Sequence, residues 1–345
     1  MPLTESCKAD IETALHRFLP NLQIENTEPY LFSDEEGYRK LIAGVTASDG
    51  RHVVVKLVHE DDDLAVEQQK IERQSCYSER LRSYGIATPK RYTVDDRYCV
   101  LSPLNGDAVC ATVEDWCGCE VQSISVPLAY RIGRLLAKIH SISLQDGFRI
   151  GTGTLFGAAT KNDVNAFNRL ISICEDPRID QEIFAQIQRL YQSKMDALRS
   201  VWSRLPVAAT QGDISINNLV DTGETLIVFD YNNAGDEVLV SDMVLEGLLT
   251  AYEMDLPENT PPEVPQQLFL AFEQGYRSVR PLNGDEQKAA WEIYVLYDSL
   301  WFTKIVYSEQ SVQKLLERED TDGVNRKLRA MLSDLLREDD GRFSE

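Results

Sequence analysis

The chain has 345 residues, of which 43% are hydrophobic and 26% are charged, as in ordinary soluble globular proteins, and its length is enough for two domains. The formal net charge of -21 argues against binding to nucleic acids or anionic membranes, because their phosphate groups would be repelled. No stretch approaches 18 consecutive apolar residues and the N-terminus has no signal-peptide pattern, so a cytoplasmic protein is predicted.

The first part of the chain predicts a helix followed by strands. Apolar residues at helical spacing precede Pro20, which ends the first helix. Two apolar segments within residues 24–45 flank a polar turn at 33–37 and predict a hairpin. Residues 53–58 form a β-branched run interrupted by Lys56, whose ammonium needs water or an anion; an edge-strand lysine is the common alternative.

A long helix is predicted next, over residues 64–84, where a following glycine and proline supply the stop signal. Three glutamates lie on this helix, Glu67, Glu72 and Glu79. Any of them could turn inward and pair with Lys56, although most helix glutamates are solvated.

A Pro- and Gly-containing stretch at residues 102–106 predicts a domain boundary. It follows a predicted strand pair around residues 91–92 and 98–101. The chain is therefore divided into a β-rich domain over residues 1–104 and a mainly helical domain over residues 105–345.

The second half of the chain carries mostly helical patterns. Leu128, Ile132, Leu135 and Ile139 form one apolar face of a helix that ends near His140, which is interpreted as a packed helix-end residue rather than a base. Further helices are predicted over residues 162–175, 180–204, 240–253, 264–280, 286–306 and about 324–336.

The seven cysteines are scattered and odd in number, which indicates reduced thiols. Cys117 and Cys119 form the one close pair in the sequence. No His or second cysteine pair stands nearby to complete a zinc site, so a turn or a packed thiol is predicted there.

The most informative stretch begins at residue 210. Two short apolar runs, 219–220 and 226–229, flank a turn and predict a hairpin whose ends bring Asp213, Asn218 and Asp230 together. Carboxylate and carboxamide oxygens suit Mg²⁺ and leave positions free for phosphate and water. The alternative is a solvated loop beside a carboxylate that ends a strand.

These features, in this order, resemble the protein-kinase-like fold and, more narrowly, the aminoglycoside phosphotransferase and choline kinase family of small-molecule kinases. The resemblance runs from about Tyr30 to Ala251. It implies an α+β fold of two lobes, a small β-rich N-lobe and a larger, mainly helical C-lobe. The motifs that carry it are Lys56 in its strand, the helix from Gly133 to His140, Gly212-Asp213, Asn218, Asp230 and Asp242.

The resemblance implies an ATP- or GTP-dependent transfer of the γ-phosphoryl group to a hydroxyl of a small-molecule acceptor, with Mg²⁺ as cofactor. Asp213 matches the aspartate that accepts the hydroxyl proton, and Asn218 and Asp230 match the metal ligands. Lys56 matches the lysine that contacts the nucleotide phosphates.

Four further residues complete the nucleotide site that the resemblance implies. Glu72 is predicted to be the partner of Lys56, and Glu67 is the alternative. The carbonyl of Ser102 and the amide of Leu104 align with the groups that hold adenine, and Gly37 lies in the turn that covers the phosphates.

Two departures from the family pattern bear on activity. Gln211 stands where the family usually has His, and the turn at 33–37 has one glycine and three carboxylates where backbone amides should approach phosphate. A catalytically silent, nucleotide-binding pseudokinase or scaffold is therefore an alternative to the kinase.

The sequence is compatible with two classes of acceptor. A cationic amine or an aminoglycoside-like acceptor is one prediction, and a neutral sugar or an amino alcohol such as homoserine is the alternative. The cationic acceptor is supported by acidic residues assigned to the helical half, namely Glu114, Asp115, Glu120, Glu253, Asp255 and Asp298. Solvated faces are the commoner explanation for such residues.

Overall fold

The computed structural model describes residues 3–35, 38–60, 63–154, 167–252, 260–261 and 263–344. The chain divides into two compact units. Unit 1 comprises residues 1–122 and 216–234, and unit 2 comprises residues 123–215 and 235–345. Among the described residues, no helix is both long and apolar enough to cross a lipid bilayer.

Unit 1 is built on a five-stranded antiparallel sheet in the order β1-β2-β3-β5-β4, with a separate hairpin of β7 and β8. Its elements are α1 (Glu5–Phe18), β1 (Ile24–Glu35), β2 (Tyr38–Ala47), β3 (His52–His59), α2 (Leu64–Ser83), β4 (Val100–Leu104), β5 (Asp107–Asp115), β7 (Leu219–Asp221) and β8 (Leu226–Val228). The predicted first helix, the first hairpin, the lysine strand and the long helix are confirmed as α1, β1–β2, β3 and α2.

The core of unit 1 lies between α1 and one face of the sheet. Buried apolar side chains of α1, such as Ile11 and Leu15, pack with alternate residues of β2 and β3, such as Leu41 and Val55. This alternation fixes the register of the strands, because a shift by one residue would turn the apolar side chains away from the core.

The predicted boundary at residues 102–106 is corrected by the structure. Asn105 and Gly106 form a tight turn, both with positive φ, of 50° and 92°, and the chain returns into the same sheet as β5. Residues 91–92 do not form a strand with 98–101; β4 pairs with β5 instead, and Arg91 makes an isolated bridge to Glu114. Unit 1 consequently continues past Leu104 to Gln122.

Unit 2 is mainly helical, as the sequence predicts. Its elements are α3 (Val126–Asp146), α4 (Phe167–Ile173), α5 (Gln181–Trp202), β6 (Val207–Thr210), β9 (Gly235–Val238), α6 (Leu239–Ala251), α7 (Glu263–Arg277), α8 (Gly284–Ser299), a π-helix (Thr303–Tyr307), α9 (Val312–Glu317) and α10 (Thr321–Leu335). Strands β6 and β9 pair antiparallel. Part of the predicted helix 162–175 lies outside the described residues, and the predicted helix 286–306 ends at Ser299.

Helices α3 and α7 cross at very short distance. A Cβ atom added at Gly133 of α3 would lie 1.9 Å from the carbonyl oxygen of Phe272, and one at Gly275 of α7 would lie 2.1 Å from that of Tyr130. Both contacts involve backbone atoms, which cannot rotate away. The absence of a side chain at these two positions is what lets the helix backbones approach.

We therefore expect Gly133→Ala to lower the free energy of unfolding by at least ~2 kcal/mol, because the helices must separate to admit the methyl group. Gly284→Ala is the matched control, since nothing lies within 4 Å of its Cβ position at the start of α8. Urea denaturation of the two variants measures the difference. Equal stabilities would contradict the close crossing.

Candidate functional site

The hairpin of β7 and β8 holds Asn218 and Asp230 at its open end. Leu219 pairs with Val228, and the Phe229 N–H donates to the carbonyl oxygen of Asn218 at 3.0 Å. The backbone at Asp230 is left-handed, with φ of 53°. Non-glycine residues rarely adopt this conformation, and it clusters at functional sites where the surroundings hold it. The structure thus brings these two predicted metal ligands to one hairpin mouth.

Lys56 lies between two carboxylates. Its Nζ is 3.0 Å from Oε1 of Glu114 and 3.3 Å from Oδ1 of Asp230. The other oxygen of Glu114, Oε2, is 3.1 Å from Nη2 of Arg91. The side chains of Lys56, Glu114 and Arg91 are 15%, 5% and 7% exposed, so this is a buried array of alternating charges.

The array stabilises the ionised forms of its members. Burial alone would raise the pKa of Glu114, but the charges of Lys56 and Arg91 outweigh burial and hold that pKa below its usual value. Burial alone would lower the pKa of Lys56, but Asp230 and Glu114 outweigh it and raise that pKa. Lys56 is therefore a permanently charged ammonium group in a poorly solvated place.

The predicted pairing of Lys56 with a glutamate of α2 is corrected. Oε2 of Glu72 accepts the backbone N–H groups of Tyr98 and Cys99, both at 2.9 Å. Glu67 accepts the Glu60 N–H at 2.8 Å and contacts His59. Both glutamates therefore bind other groups.

Glu114 is the glutamate that pairs with Lys56, because strand pairing brings their side chains together. It stands on β5, the strand bonded to β3, two residues beyond the Thr112 that lies opposite Lys56. Side chains at such diagonal positions lie on the same face and within reach of long side chains.

A cavity of about 190 Å³ in unit 1 opens beside Lys56, and we call it the lysine pocket. Its basic lining residues are Lys40 of β2, Lys56 of β3, Lys70 of α2 and Arg91. Its acidic lining residues are Glu60, Glu67 and Asp230.

Unit 2 contains the loop that carries Asp213. The loop follows β6, and Gly212 has φ of 78°. The Asp213 N–H donates to Oε1 of Gln211 at 2.9 Å, and the Ile214 N–H donates to Oε2 of Glu246 at 2.8 Å. Two consecutive backbone donors of this loop are thus each bound by a side chain, one from the loop itself and one from α6.

His140 lies in a buried network beneath this loop. Its Nε2 is 2.9 Å from Oδ2 of Asp242, and its Nδ1 is 2.7 Å from the Tyr276 hydroxyl. That hydroxyl also accepts a hydrogen bond from Arg280 at 3.0 Å, so its own proton points to Nδ1 and Nε2–H donates to Asp242. Burial lowers the pKa of His140, although Asp242 opposes the shift. The burial and the contacts of His140 agree with its interpretation as a packed residue near the end of its helix.

The same network extends to the strand before the loop. The Thr210 hydroxyl donates to Oδ2 of Asp242 at 2.7 Å, and Thr210 is the last residue of β6. Asp242 and Glu246 are one turn apart on α6, and both are almost completely buried. Helix α6 therefore anchors both the strand and the loop that carry the chain to Asp213.

Solved structures of other proteins share this architecture. No family model and no curated protein matches the chain. Its structure is similar to that of amicoumacin kinase, solved with AMP-PNP and Ca²⁺, at a TM-score of 0.59 and 14% identity over 96% of each chain. It is also similar to a microcompartment-associated aminopropanol kinase, at a TM-score of 0.60 and 15% identity over 94% of this chain and 99% of the other.

The chain has the protein-kinase-like fold. The predicted two-part α+β architecture is thereby confirmed, and so is the resemblance to small-molecule kinases at the level of fold.

The two predicted adenine-binding residues, Ser102 and Leu104, lie in strand β4 and not where the chain leaves the sheet. Ser102 pairs with Val109 and Leu104 pairs with Asp107, inside the β4–β5 hairpin. The chain leaves the sheet only after β5, through residues 116–122, where the Val121 N–H donates to the Leu219 carbonyl oxygen at 2.9 Å. Gly37, the predicted phosphate-turn residue, lies outside the described residues.

The acidic residues assigned to the acceptor site are also redistributed. Glu114 and Asp115 belong to β5, and Glu120 lies in unit 1 as well. Glu253 and Asp255 lie outside the described residues.

Asp298 of α8 has its own partners. It accepts from the Tyr252 hydroxyl at 2.6 Å, lies 2.5 Å from Nη2 of Arg337, and is 3.4 Å from Nζ of Lys304. Two cations already neutralise this carboxylate, so it gives no support to a cationic acceptor.

Proposed function

We propose that the protein is a small-molecule kinase that transfers the γ-phosphoryl group of ATP or GTP to a hydroxyl group of its acceptor. The observation that carries this proposal is the array in which Lys56 is held between Glu114 and Asp230, beside a hairpin mouth that also holds Asn218. The protein-kinase-like fold supports it. A buried, fixed ammonium group next to a carboxylate suits a nucleotide phosphate and its metal ion.

Asn218 and Asp230 would hold the metal ion, for which we propose Mg²⁺. Their carboxamide and carboxylate oxygens are the ligands that hard divalent cations prefer, and the left-handed backbone at Asp230 fixes that carboxylate. When bound, such an ion offsets the negative charge of the phosphate groups. Lys56 would bind a nucleotide phosphate oxygen, with Glu114 and Arg91 keeping the ammonium in place.

Asp213 would act as the base. The acceptor hydroxyl oxygen forms a bond to the γ-phosphorus, the bond from that phosphorus to the β,γ-bridging oxygen breaks, and ADP or GDP leaves. The hydroxyl proton passes to the carboxylate of Asp213. Gln211 and Glu246 would keep this carboxylate in position through the two backbone donors that they bind.

Among acceptors we propose an amino alcohol. The similarity to an aminopropanol kinase favours this class, and the neutralised Asp298 removes one of the acidic residues that pointed to a polycationic antibiotic. Release of ADP in a screen of amino alcohols, sugars and aminoglycosides tests the choice. Nucleotide binding without ADP release from any acceptor would instead indicate a nucleotide-binding scaffold.

The test of the activity is Asp213→Asn. We expect its turnover to fall by roughly 10²- to 10⁴-fold, because the amide cannot take up the hydroxyl proton. Stabilisation by ATP and Mg²⁺ in a thermal melt should stay as in the unmodified protein. Asp95→Asn, at an exposed turn with φ of 49°, is the control. Full turnover of Asp213→Asn would refute the assigned role.

A further inference from the structure

The sequence of residues 33–37 is not typical of a phosphate-binding turn. Residues 33–37 contain one glycine and three carboxylates, whereas phosphate-binding turns rely on close approach of backbone amides. Carboxylates repel phosphate groups, so this sequence offers a nucleotide no attraction of its own. If the proposed function holds, other groups of the chain must supply the attraction.

The lysine pocket gathers basic side chains that could bind phosphate. The chain has 56 acidic and 35 basic residues, yet four cations line this pocket. Three carboxylates also line it, and Glu114 balances Lys56 and Arg91 from β5. Four cations gathered in one cavity of so acidic a chain offer donors to an anionic ligand, which the negative charge of the rest of the protein would repel elsewhere.

Strand pairing directs two of these lysines toward the same space. Ile42 of β2 lies opposite Lys56 of β3, and Lys40 lies opposite Val58. Because alternate residues of a strand share a face, Lys40 and Lys56 point to the same side of the sheet. Nζ of Lys40 is 3.0 Å from Oε1 of Glu60, and its side chain is only 14% exposed.

The third lysine comes from the helix. Lys70 stands on α2 between Glu67 and Gln74, which also line the pocket. Its side chain is exposed, and within the described part of the chain it has neither a hydrogen bond nor an ion pair. Helix α2 therefore presents at the pocket a lysine that is not ion-paired in the described part of the chain, while Glu67 and Glu72 of the same helix bind other groups.

We propose that Lys40 and Lys70 bind the phosphate groups of the nucleotide together with Lys56. Phosphate recognition would then depend on ammonium groups of β2, β3 and α2 instead of a glycine-rich turn. This proposal rests on the proposed function. Its consequence is an affinity that rises steeply with the number of phosphate groups and falls with salt, because the attraction is electrostatic.

The test compares nucleotides of different charge on the full-length protein. Dissociation constants for ATP with Mg²⁺ and for adenosine are measured by calorimetry for Lys40→Ala, Lys70→Ala and the double variant. Each single change should weaken ATP binding about tenfold, as expected for one charged hydrogen bond, and should change adenosine binding less than about twofold. Lys138→Ala, which removes an exposed lysine of α3, should bind ATP normally.

The possible results distinguish a failure of this inference from a failure of the proposed kinase function. Normal ATP binding by Lys40→Ala and Lys70→Ala would overturn the inference and leave the kinase proposal intact. An equal loss of ATP and adenosine binding would also overturn it, because the change would then not act on phosphate. Failure of the unmodified protein to bind ATP would overturn the proposed function itself. Lys70→Arg, which keeps the charge, should retain most of the affinity.

Discussion

Replacing Glu114 by Gln is expected to lower the free energy of unfolding by about 3–5 kcal/mol, the cost of breaking a buried ion pair. Oxygens of Glu114 lie 3.0 Å from Nζ of Lys56 and 3.1 Å from Nη2 of Arg91, and its side chain is 5% exposed. The amide keeps the size of the carboxylate but leaves two buried cations poorly compensated. Of its two carboxylate partners, Lys56 would then keep Asp230 and lose Glu114. Its ammonium group would be held less firmly, so ATP affinity and turnover should also fall.

Glu72→Gln is the matched control for this prediction. A single oxygen of Glu72 accepts the N–H groups of Tyr98 and Cys99, and the amide oxygen of Gln can accept both. We expect a loss of less than about 1 kcal/mol and unchanged ATP binding. Urea denaturation and calorimetry measure the two effects. A greater loss of ATP binding in Glu72→Gln than in Glu114→Gln would restore the helix glutamate as the partner of Lys56.

The pH dependence of stability gives a second readout of the same array. Lys56 and Arg91 hold the pKa of Glu114 below its usual value of 4.5 in the folded protein. The stability gained in this way is therefore complete above about pH 5 and is lost as the pH falls through the folded pKa. In Glu114→Gln this contribution is absent, so its stability should fall less steeply below pH 5 than that of the unmodified protein.

The sequence predicted the elements whose signals are local. Asp221 to Glu224 marked the β7–β8 turn, and the apolar spacing of α3 and the stop after α2 were clear. Because a hairpin brings its ends together, Asn218 and Asp230 could be placed side by side without knowledge of the rest of the fold.

Strand β5 and the partner of Lys56 could not be found in the same way. Residues 109–114 are buried without alternation, because β5 lies between β3 and β4 and is covered on both faces. Such a strand lacks the period of two that identifies half-buried strands. Asn105-Gly106 was the available signal, since this dipeptide favours a two-residue hairpin turn.

Because the sequence did not predict β5 as part of the sheet, Glu114 could not be identified as the partner of Lys56. The choice between a helix glutamate and a strand glutamate depends on the register of β3 with β5, in which Lys56 lies opposite Thr112. Register is a property of paired strands and is not encoded near Lys56 itself. The hydrogen bond between Glu246 and the Ile214 N–H could not be predicted for a similar reason, because it joins residues 32 positions apart in the chain.

Removing the carboxylate of Glu246 is expected to disturb the loop that carries Asp213. Glu246 is 0% exposed on a helix of mostly apolar residues, and its Oε2 lies 2.8 Å from the Ile214 nitrogen. In Glu246→Leu this buried N–H loses its acceptor, which costs about 1–3 kcal/mol and frees the backbone next to Asp213. Small displacements of a base reduce turnover strongly, so we expect kcat to fall about 100-fold.

Glu246→Gln separates positioning from charge. Its amide oxygen can still accept the Ile214 N–H, so this variant should keep kcat within about fivefold of the unmodified protein. Neither variant should change ATP affinity, because Lys56, Asn218 and Asp230 belong to unit 1 and do not depend on this hydrogen bond. Steady-state kinetics measures kcat of both variants, and calorimetry measures their ATP affinity. Equal losses of kcat in Glu246→Gln and Glu246→Leu would mean that the negative charge of Glu246, and not its hydrogen bond to the loop, is what the reaction requires.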